Sequence, residues 1–263
     1  MEIEIVSLSK QGGREYNEDV HGHWHNGHFV ACLVADGAGG HGGGDVAAAT
    51  ARSSILAGFA AHPTLDEDAV RELLAQANLD VVARQAEGGK LASMRSTVVL
   101  AAVDLEQHAL VWAHTGDSRA YLFRGGAIVA RTTDHSLVQQ MVASGMLDDE
   151  GARLHPQRNM LLSALGSVQE PPEIEVSGRM RLEVGDVLLL CSDGVWEPLG
   201  DEWLVDTLHA ARTAAQWAEE LDAQIQAQAK PGHDNYTAVV LWVLREDEES
   251  TRLMGDPWVA DSE

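Results

Sequence analysis

The stretch Phe29–Gly40, FVACLVADGAGG, decides the fold because it joins an apolar run to a carboxylate and a glycine-rich loop. A short apolar run of this kind is typical of a strand that is buried on both faces. The run ends at Asp36, and three of the four residues that follow are glycines, which let the backbone turn sharply and approach a ligand. A buried aspartate is costly unless a cation meets it. The stretch therefore predicts a central strand with a charged site at its end.

Three further apolar runs place an aspartate beside a glycine-containing loop. Val187–Asp193 and Leu110–Asp117 each end in one, and Asp234 precedes the run Tyr236–Leu244. One Asp-Gly pair is ordinary turn chemistry. Four such aspartates favour strand ends that converge on a site for hard divalent cations such as Mg²⁺ or Mn²⁺.

Composition narrows the class of protein. The 263 residues are 45% hydrophobic, which is enough for a sizeable core, and the net charge is -23. This charge opposes sequence-independent binding to nucleic acid and to anionic membranes. The N-terminus lacks the pattern of a signal peptide, and no apolar stretch is long enough to span a membrane. Cys32 and Cys191 lie in strand-like runs, where reduced thiols are favoured over a disulfide. A cytoplasmic protein is expected.

Hydrophobic periodicity predicts an α+β fold. Glu2–Leu8 reads as an opening strand, and the helices that follow the central strand are predicted at Asp45–Ala61 and from a Thr64-x-x-Glu67 capping box to Ala86. A meander of four strands is then expected at Ser96–Asp104, Ala109–Thr115, Arg119–Phe123 and Ala127–Arg131.

The second half of the chain also alternates between predicted helices and strands. A short helix at His135–Ser144 and a strand at Glu173–Ser177 are followed by helices at Glu202–Ala211 and from a Thr213-x-x-Gln216 capping box to Ala229. Two antiparallel sheets would then face one another, each covered by a helix pair, as an αββα sandwich. We expect one domain at residues 1–245 and a flexible acidic tail at residues 246–263.

Two polar clusters leave alternatives open. Arg14 lies four residues before Glu18. It either forms a surface ion pair with nearby carboxylates or acts as a clamp for a phosphate. His21, His23 and His25 would share one face of a strand, with His28 nearby. They suit a soft transition metal, but decoration of a hairpin is favoured.

Ordered motifs carry a resemblance to the metal-dependent protein phosphatases of the 2C type (PP2C), in their compact bacterial form. The resemblance covers roughly residues 5–243. Its motifs are Arg14-x-x-Asn17-Glu18-Asp19, Val34-Ala35-Asp36-Gly37-x-Gly39-Gly40-His41, Thr115-Gly116-Asp117-Ser118-Arg119, Asp134-His135-Ser136-Leu137-Val138, His155-Pro156-x-Arg158-Asn159 with Ala164-Leu165-Gly166, Cys191-Ser192-Asp193-Gly194 and Asp234-Asn235-x-Thr237.

The resemblance implies two Mn²⁺ or Mg²⁺ ions and a weaker third. Asp36 resembles the bridging ligand, with the Gly37 carbonyl beside it. Asp193 and Asp234 resemble ligands of one ion, and Glu18 and Asp19 lie on the side of the other, directly or through water. Asp117 resembles a ligand of the third ion, together with Asp193. Arg14 matches the arginine that holds the substrate phosphate.

The implied reaction is hydrolysis of phosphoserine and phosphothreonine on proteins by a metal-activated water, without a covalent intermediate. A monomer that reverses a bacterial Ser/Thr kinase, acting on that kinase and its substrates, is expected. The sequence departs from many relatives at Ala38, where they carry a histidine proposed as general acid. His41, three residues on, either substitutes for it or is uninvolved. Arg95 stands just before Ser96, where relatives usually carry a small residue. It either biases substrate choice or points outward.

Two other functions have less support in the sequence. A phosphatase of the same fold that serves one phosphoserine protein in a partner-switching circuit usually carries sensory or coiled-coil modules, which this chain lacks. An inactive module that binds phosphoproteins is opposed by intact Asp36, Asp193 and Asp234.

Residues 147–166 are expected to form a mobile flap beside the site. Its arginines Arg153 and Arg158 either contact the substrate protein or pair with nearby acids.

Overall fold

The computed structural model describes residues 1–38 and 43–244. Within them the chain forms strands and helices in a mixed order. The strands are β1 (Glu2–Lys10), β2 (Asp19–His25), β3 (Phe29–Ala38), β4 (Arg95–Ser96), β5 (Val98–Asp104), β6 (Ala109–Thr115), β7 (Arg119–Arg124), β8 (Ala127–Arg131), β9 (Glu175–Val176), β10 (Met180–Arg181), β11 (Val187–Cys191) and β12 (Tyr236–Leu244). The helices are α1 (Gly44–Ala61), α2 (Glu67–Gln85), α3 (Leu137–Ala143), α4 (Asp149–Leu154), α5 (Asp193–Ala210) and α6 (Ala214–Gln228).

Two antiparallel sheets face one another within the described residues. The first has the strand order β1-β12-β11-β7-β8. The second has the order β10-β6-β5-β3-β2, with β4 added to β3 and β9 added to β6. Helices α1 and α2 cover the second sheet, and α5 and α6 cover the first. The predicted αββα sandwich is confirmed.

The central strand β3 shows why its sequence is continuously apolar. Val30, Cys32 and Val34 face the opposite sheet and pack in the layer between the sheets. The alternate residues Ala31 and Leu33 face helices α1 and α2. Because successive side chains of a strand point to opposite faces, a strand between two apolar layers needs apolar residues at every position. The same alternation aims Asp36 toward the space between the sheets.

Both cysteines are buried and free, as predicted. Burial raises the pKa of the Cys32 thiol to about 12. At neutral pH it is therefore a protonated thiol with the packing role of a small apolar side chain.

The predicted four-strand meander is wrong. Strands β5 and β6 pair in the second sheet, whereas β7 and β8 pair in the first. The loop Gly116–Ser118 carries the chain from one sheet to the other, and Gly116 has a φ of 99°. A Cβ there would lie 2.6 Å from Thr97 Cγ2, so the crossing requires glycine. A short loop that contains glycine is typical of a hairpin turn. The local residues do not specify which of the two sheets the next strand joins, so the sequence pattern cannot distinguish a hairpin from a crossing between sheets.

Two helix starts also differ from expectation. Asp66, rather than Thr64, caps α2, since its Oδ1 accepts a hydrogen bond from the Ala69 amide at 2.9 Å. Helix α5 begins at Asp193 and is interrupted at Gly200, whereas the sequence predicts a helix only from Glu202. The Thr213 cap of α6 is confirmed. The predicted tail at residues 246–263 lies outside the described residues, and the domain boundary stays a prediction.

Candidate metal centre

Asp19 and Asp36 lie directly opposite one another on neighbouring strands. Asp19 opens β2, and its register partner in β3 is Asp36. The Asp36 backbone is held from the other side by Thr97, whose amide donates to the Asp36 carbonyl at 2.8 Å. Like charges opposite each other on adjacent strands are destabilising. The pair therefore calls for a cation between or beside the two carboxylates.

The first sheet brings further carboxylates to the same edge. Asp193 is the first residue of α5, where the positive end of the helix dipole favours a negative charge. Asp234 directly precedes Asn235 and β12, and Asp117 lies in the loop that crosses between the sheets. Ser192 joins the two sheets, because its hydroxyl donates to Asp19 Oδ2 at 2.7 Å.

The electrostatics show that these carboxylates interact. Burial raises the pKa of Asp19 to about 6 and that of Asp117 to about 7. Burial, and then neighbouring carboxylates, hold the pKa of Asp36 and Asp193 well above the usual range. The carboxylates that raise the pKa of Asp36 are Asp19, Asp193, Asp117 and Asp234.

Unpartnered oxygens at this edge fit a hard cation. Asp19 Oδ1 and Asp193 Oδ1 are buried and have no hydrogen-bond partner within the described residues. A buried acceptor without a hydrogen-bond partner is rare in native proteins, and binding of an ion is one common explanation for it. The donor set is carboxylate oxygen throughout, which suits Mg²⁺ and Mn²⁺ rather than a softer metal. The residues present therefore fit the metal that the sequence predicts.

Glu18 and Gly37 form the wall of the site next to α1. Glu18 Oε1 accepts a hydrogen bond from the amide of Gly44 at 3.1 Å. The Gly37 amide donates to the Glu18 carbonyl at 3.2 Å. A Cβ on Gly37 would lie 2.1 Å from the Gly44 carbonyl oxygen, so only glycine allows β3 and α1 to approach this closely. Burial raises the pKa of Glu18, although the Gly44 hydrogen bond opposes the shift.

Arg14 is a cation that the structure places against this cluster. Its Nη2 lies 2.6 Å from Asp234 Oδ2, and its side chain is 52% exposed. Arg14 also lines an open cleft of about 580 Å³, together with Arg158, His233 and Asp234. An ion pair was one of the two alternatives for Arg14, and the structure forms it with Asp234 rather than with Glu18. Because the guanidinium is still half exposed, donor groups remain available to a ligand in the cleft.

Asn235 supports the site in a way that the sequence did not reveal. Its Oδ1 accepts from the Glu18 amide at 2.9 Å, and its Nδ2 donates to the carbonyls of Gln11 and Tyr16. These bonds fix the loop that carries Arg14. Asn235 belongs to the motif Asp234-Asn235-x-Thr237. Its position between a predicted metal ligand and a buried strand is the sequence signal for this supporting role.

The remaining candidates lie elsewhere. His21, His23 and His25 occupy the face of edge strand β2 that also carries Asp19, and β2 pairs with β3 as a hairpin. The rings of His23 and His25 stack with centroids 6.4 Å apart. Arg95 is exposed and donates to Ser167 Oγ at 3.0 Å. Ala38 ends β3, and His41 lies outside the described residues.

Solved structures with the same fold are bacterial serine/threonine phosphatases. The serine/threonine phosphatase Stp1 from Staphylococcus aureus matches with a TM-score of 0.84 and 27% identity, covering 92% of this chain and 96% of that one. The catalytic domain of the serine/threonine protein phosphatase PstP, solved with 2 manganese ions, matches with a TM-score of 0.77 and 28% identity, covering 92% and 99%. The fold and the carboxylate cluster together define the class as metal-dependent protein phosphatases.

Sequence comparison gives the family. The family model described as protein phosphatase 2C matches residues 9–230. The serine/threonine phosphatase stp of Listeria monocytogenes is 31% identical over 234 residues, which cover 87% of this chain and 90% of that protein. The chain belongs to the protein phosphatase 2C family and is a metal-dependent serine/threonine protein phosphatase. The resemblance stated from the sequence is confirmed.

Proposed function

We propose that this chain removes phosphate from phosphoserine and phosphothreonine on proteins and thereby reverses a bacterial Ser/Thr kinase. The observation that supports the proposal is a set of buried carboxylates from both sheets, with unpartnered oxygens at Asp19 and Asp193, next to the half-exposed Arg14. The anionic cluster needs cations, and the arginine beside the open cleft suits a phosphate dianion. The relative stp of Listeria monocytogenes is named a serine/threonine phosphatase, and PhpP of Streptococcus pneumoniae is named a protein phosphatase.

We assign the ligands as follows. Asp36 would bind both of two Mn²⁺ or Mg²⁺ ions. Asp193 and Asp234 would bind one of them, and Glu18, Asp19 and the Gly37 carbonyl would bind the other. Asp117 and Asp193 serve a weaker third ion. When bound, the ions lower the pKa of a water for attack on phosphorus and neutralise charge on the phosphoryl oxygens.

The chain's own groups position the substrate. Arg14 exchanges part of its contact with Asp234 for the phosphate, because the fork of its guanidinium matches two phosphate oxygens. Asn235 holds the loop of Arg14 in place, so the guanidinium reaches the cleft without reordering of the backbone. Catalysis through a phosphocysteine is opposed by Cys32 and Cys191, which are fully buried and whose pKa values burial raises.

The cleft beside Arg14 also offers surface for a polypeptide. Residues of the segment 147–166, including Arg158 and Asn159, form one wall. Arg158 pairs with Glu197 of α5, which ties this wall to the helix that begins at Asp193. We therefore propose phosphorylated proteins, including a Ser/Thr kinase and its substrates, as partners.

No helix among the described residues is long and apolar enough to cross a membrane. We propose a monomeric, cytoplasmic signalling enzyme with its catalytic domain at residues 1–245.

The test is turnover of a phosphothreonine peptide and of a small aryl phosphate, first in EDTA and then after Mn²⁺ or Mg²⁺ is restored. Turnover should stop in EDTA and return with metal. Asp36→Asn, measured in parallel, should stay inactive when metal is restored. Undiminished turnover in EDTA would contradict the metal mechanism, and binding of the phosphopeptide without turnover in any metal would indicate an inactive binding module.

A further inference from the structure

A second cluster of metal-binding side chains lies on β6, β9 and the loop before α3. His114 is near the end of β6, His135 precedes α3, and Glu175 opens β9. One ligand atom from each of the three residues can be chosen so that all lie within 4.8 Å of one another. The two imidazole rings stack with centroids 4.6 Å apart, and His135 Nε2 lies 3.8 Å from Glu175 Oε2. None of these residues belongs to the carboxylate centre.

The histidine nitrogens that face this cluster lack partners. His114 is 1% exposed and His135 is 8% exposed. His114 Nδ1 and His135 Nε2 are both buried without a hydrogen-bond partner among the described residues. Buried polar atoms of this kind call for a bound water or ion. Two of them come from different segments whose side chains meet beside Glu175, which points to a ligand rather than to a local packing defect.

The hydrogen bonding of His114 already has the arrangement of a metal ligand. Its Nε2 lies 2.8 Å from the carbonyl oxygen of Thr133. Because a carbonyl only accepts, Nε2 carries the ring proton and Nδ1 presents a lone pair to the cluster. Histidines that bind metals usually donate their other N–H to a carbonyl or carboxylate in this way.

His135 binds an ion at the expense of one long hydrogen bond. The Gly116 amide donates to its Nδ1 at 3.3 Å, which places the proton of the neutral ring on Nε2. Burial, and then the neighbouring His114, lower the pKa of His135, so the ring is neutral at pH 7. Metal binding at Nε2 requires the ring proton to move to Nδ1, so the contact with Gly116 is lost.

Glu175 makes the cluster accessible. Its side chain is 54% exposed, so an ion can enter from solvent and retain water ligands. The nearby carboxylates of Glu173 and Asp134 add negative charge around His135. Two imidazoles and one carboxylate, with a position left for water, form a ligand set typical of Zn²⁺. Mg²⁺ and Mn²⁺ prefer the all-oxygen set of the carboxylate centre.

We propose that His114, His135 and Glu175 bind one Zn²⁺ ion at a site separate from the carboxylate centre. The ion would join β6 and the loop before α3 to β9, the strand that follows the flap. The backbone already makes part of this connection, since the His135 carbonyl accepts from the Leu162 amide at 2.8 Å. Zn²⁺ would therefore fasten the base of the flap to the second sheet. This proposal does not depend on the ligand assignments at the catalytic edge.

The test uses the full chain and two probes, Zn²⁺ by calorimetry and Co²⁺ by visible absorption. Co²⁺ held by imidazole nitrogen in four- or five-fold coordination absorbs strongly, whereas six-fold oxygen coordination absorbs weakly. Asp36→Asn serves as the background, because it disables the carboxylate centre without touching the histidines. Within that background we compare Glu175→Gln, His114→Gln and the matched control His23→Gln.

We expect the Asp36→Asn chain to bind one Zn²⁺ and to show the strong Co²⁺ band. His114→Gln should remove both signals, and Glu175→Gln should weaken Zn²⁺ binding by at least roughly tenfold, while His23→Gln changes neither. Because His114 is buried, the half-exposed Glu175 variant decides the question if His114→Gln does not fold. The proposal is overturned if Asp36→Asn alone abolishes binding, if Glu175→Gln binds Zn²⁺ as the background does, or if His23→Gln removes the site.

Discussion

Asp117 is expected to make the metal-free enzyme less stable as the pH rises. The side chain is 6% exposed, and burial, followed by the charge of Asp134, raises its pKa from 3.8 to about 7. A group whose folded pKa lies above its unfolded pKa binds protons more tightly in the folded state. Between about pH 4 and pH 7 the unfolded chain loses this proton first, so folding stability falls with rising pH. Asp117→Asn removes the titrating group and should remove that loss.

The size of the effect follows from the shift. One pKa unit corresponds to about 1.4 kcal/mol, so a shift of about 3 units corresponds to roughly 4 kcal/mol above pH 7. Below pH 4 the difference vanishes, and roughly 2 to 3 kcal/mol of it should develop between pH 5 and pH 8. Asparagine keeps the backbone carbonyl that accepts from Trp196 Nε1 at 2.9 Å, so the packing around the loop is retained.

The assay is urea unfolding in EDTA at pH 5 and pH 8, followed by tryptophan fluorescence. At pH 8 the Asp117→Asn variant should be more stable than the wild type by a few kcal/mol, and at pH 5 the gain should shrink. Asp206→Asn, at an exposed position of α5, controls for the removal of one negative charge from an acidic chain. The reasoning fails if Asp117→Asn gives no gain at pH 8, or gives a gain that is the same at both pH values or is matched by Asp206→Asn.

Three further predictions concern activity. Asp36→Asn should abolish turnover at every Mn²⁺ concentration, whereas Asp117→Asn should keep partial activity and need more Mn²⁺; equal and total loss in both variants would contradict the ranking of these ligands. Arg14→Ala should raise KM by about tenfold or more, because a charge-assisted hydrogen bond contributes about 1.5–3 kcal/mol. An unchanged KM with a shifted Mn²⁺ dependence would show that Arg14 instead acts as the ion-pair partner of Asp234. Replacing Arg153 and Arg158 with alanine should lower kcat/KM on a phosphoprotein by roughly threefold to tenfold and spare an aryl phosphate, since only the protein contacts this wall of the cleft; equal effects on both substrates, or none, would mark the segment as structural.

Several features of this protein are determined by local sequence. The continuous apolar run of β3 requires two apolar layers around it, and that requirement predicted a strand between a helix pair and a second sheet. Aspartates at the ends of buried runs predicted a metal centre, because an unpaired carboxylate is costly in such a place. The order of short motifs then identified the family, which the comparisons confirm.

Other features depend on contacts between residues far apart in the chain. The loop Gly116–Ser118 crosses between sheets, yet a hairpin turn has the same local signal, so only the pairing of β6 and β7 with different partners decides the path. Asn235 fixes the loop of Arg14 through bonds to Gln11 and Tyr16, more than 200 positions away. His114, His135 and Glu175 show no shared motif and meet only because β9 pairs with β6. Periodicity and motifs report the environment that each segment needs, whereas the neighbours that supply it are chosen by packing of the whole chain.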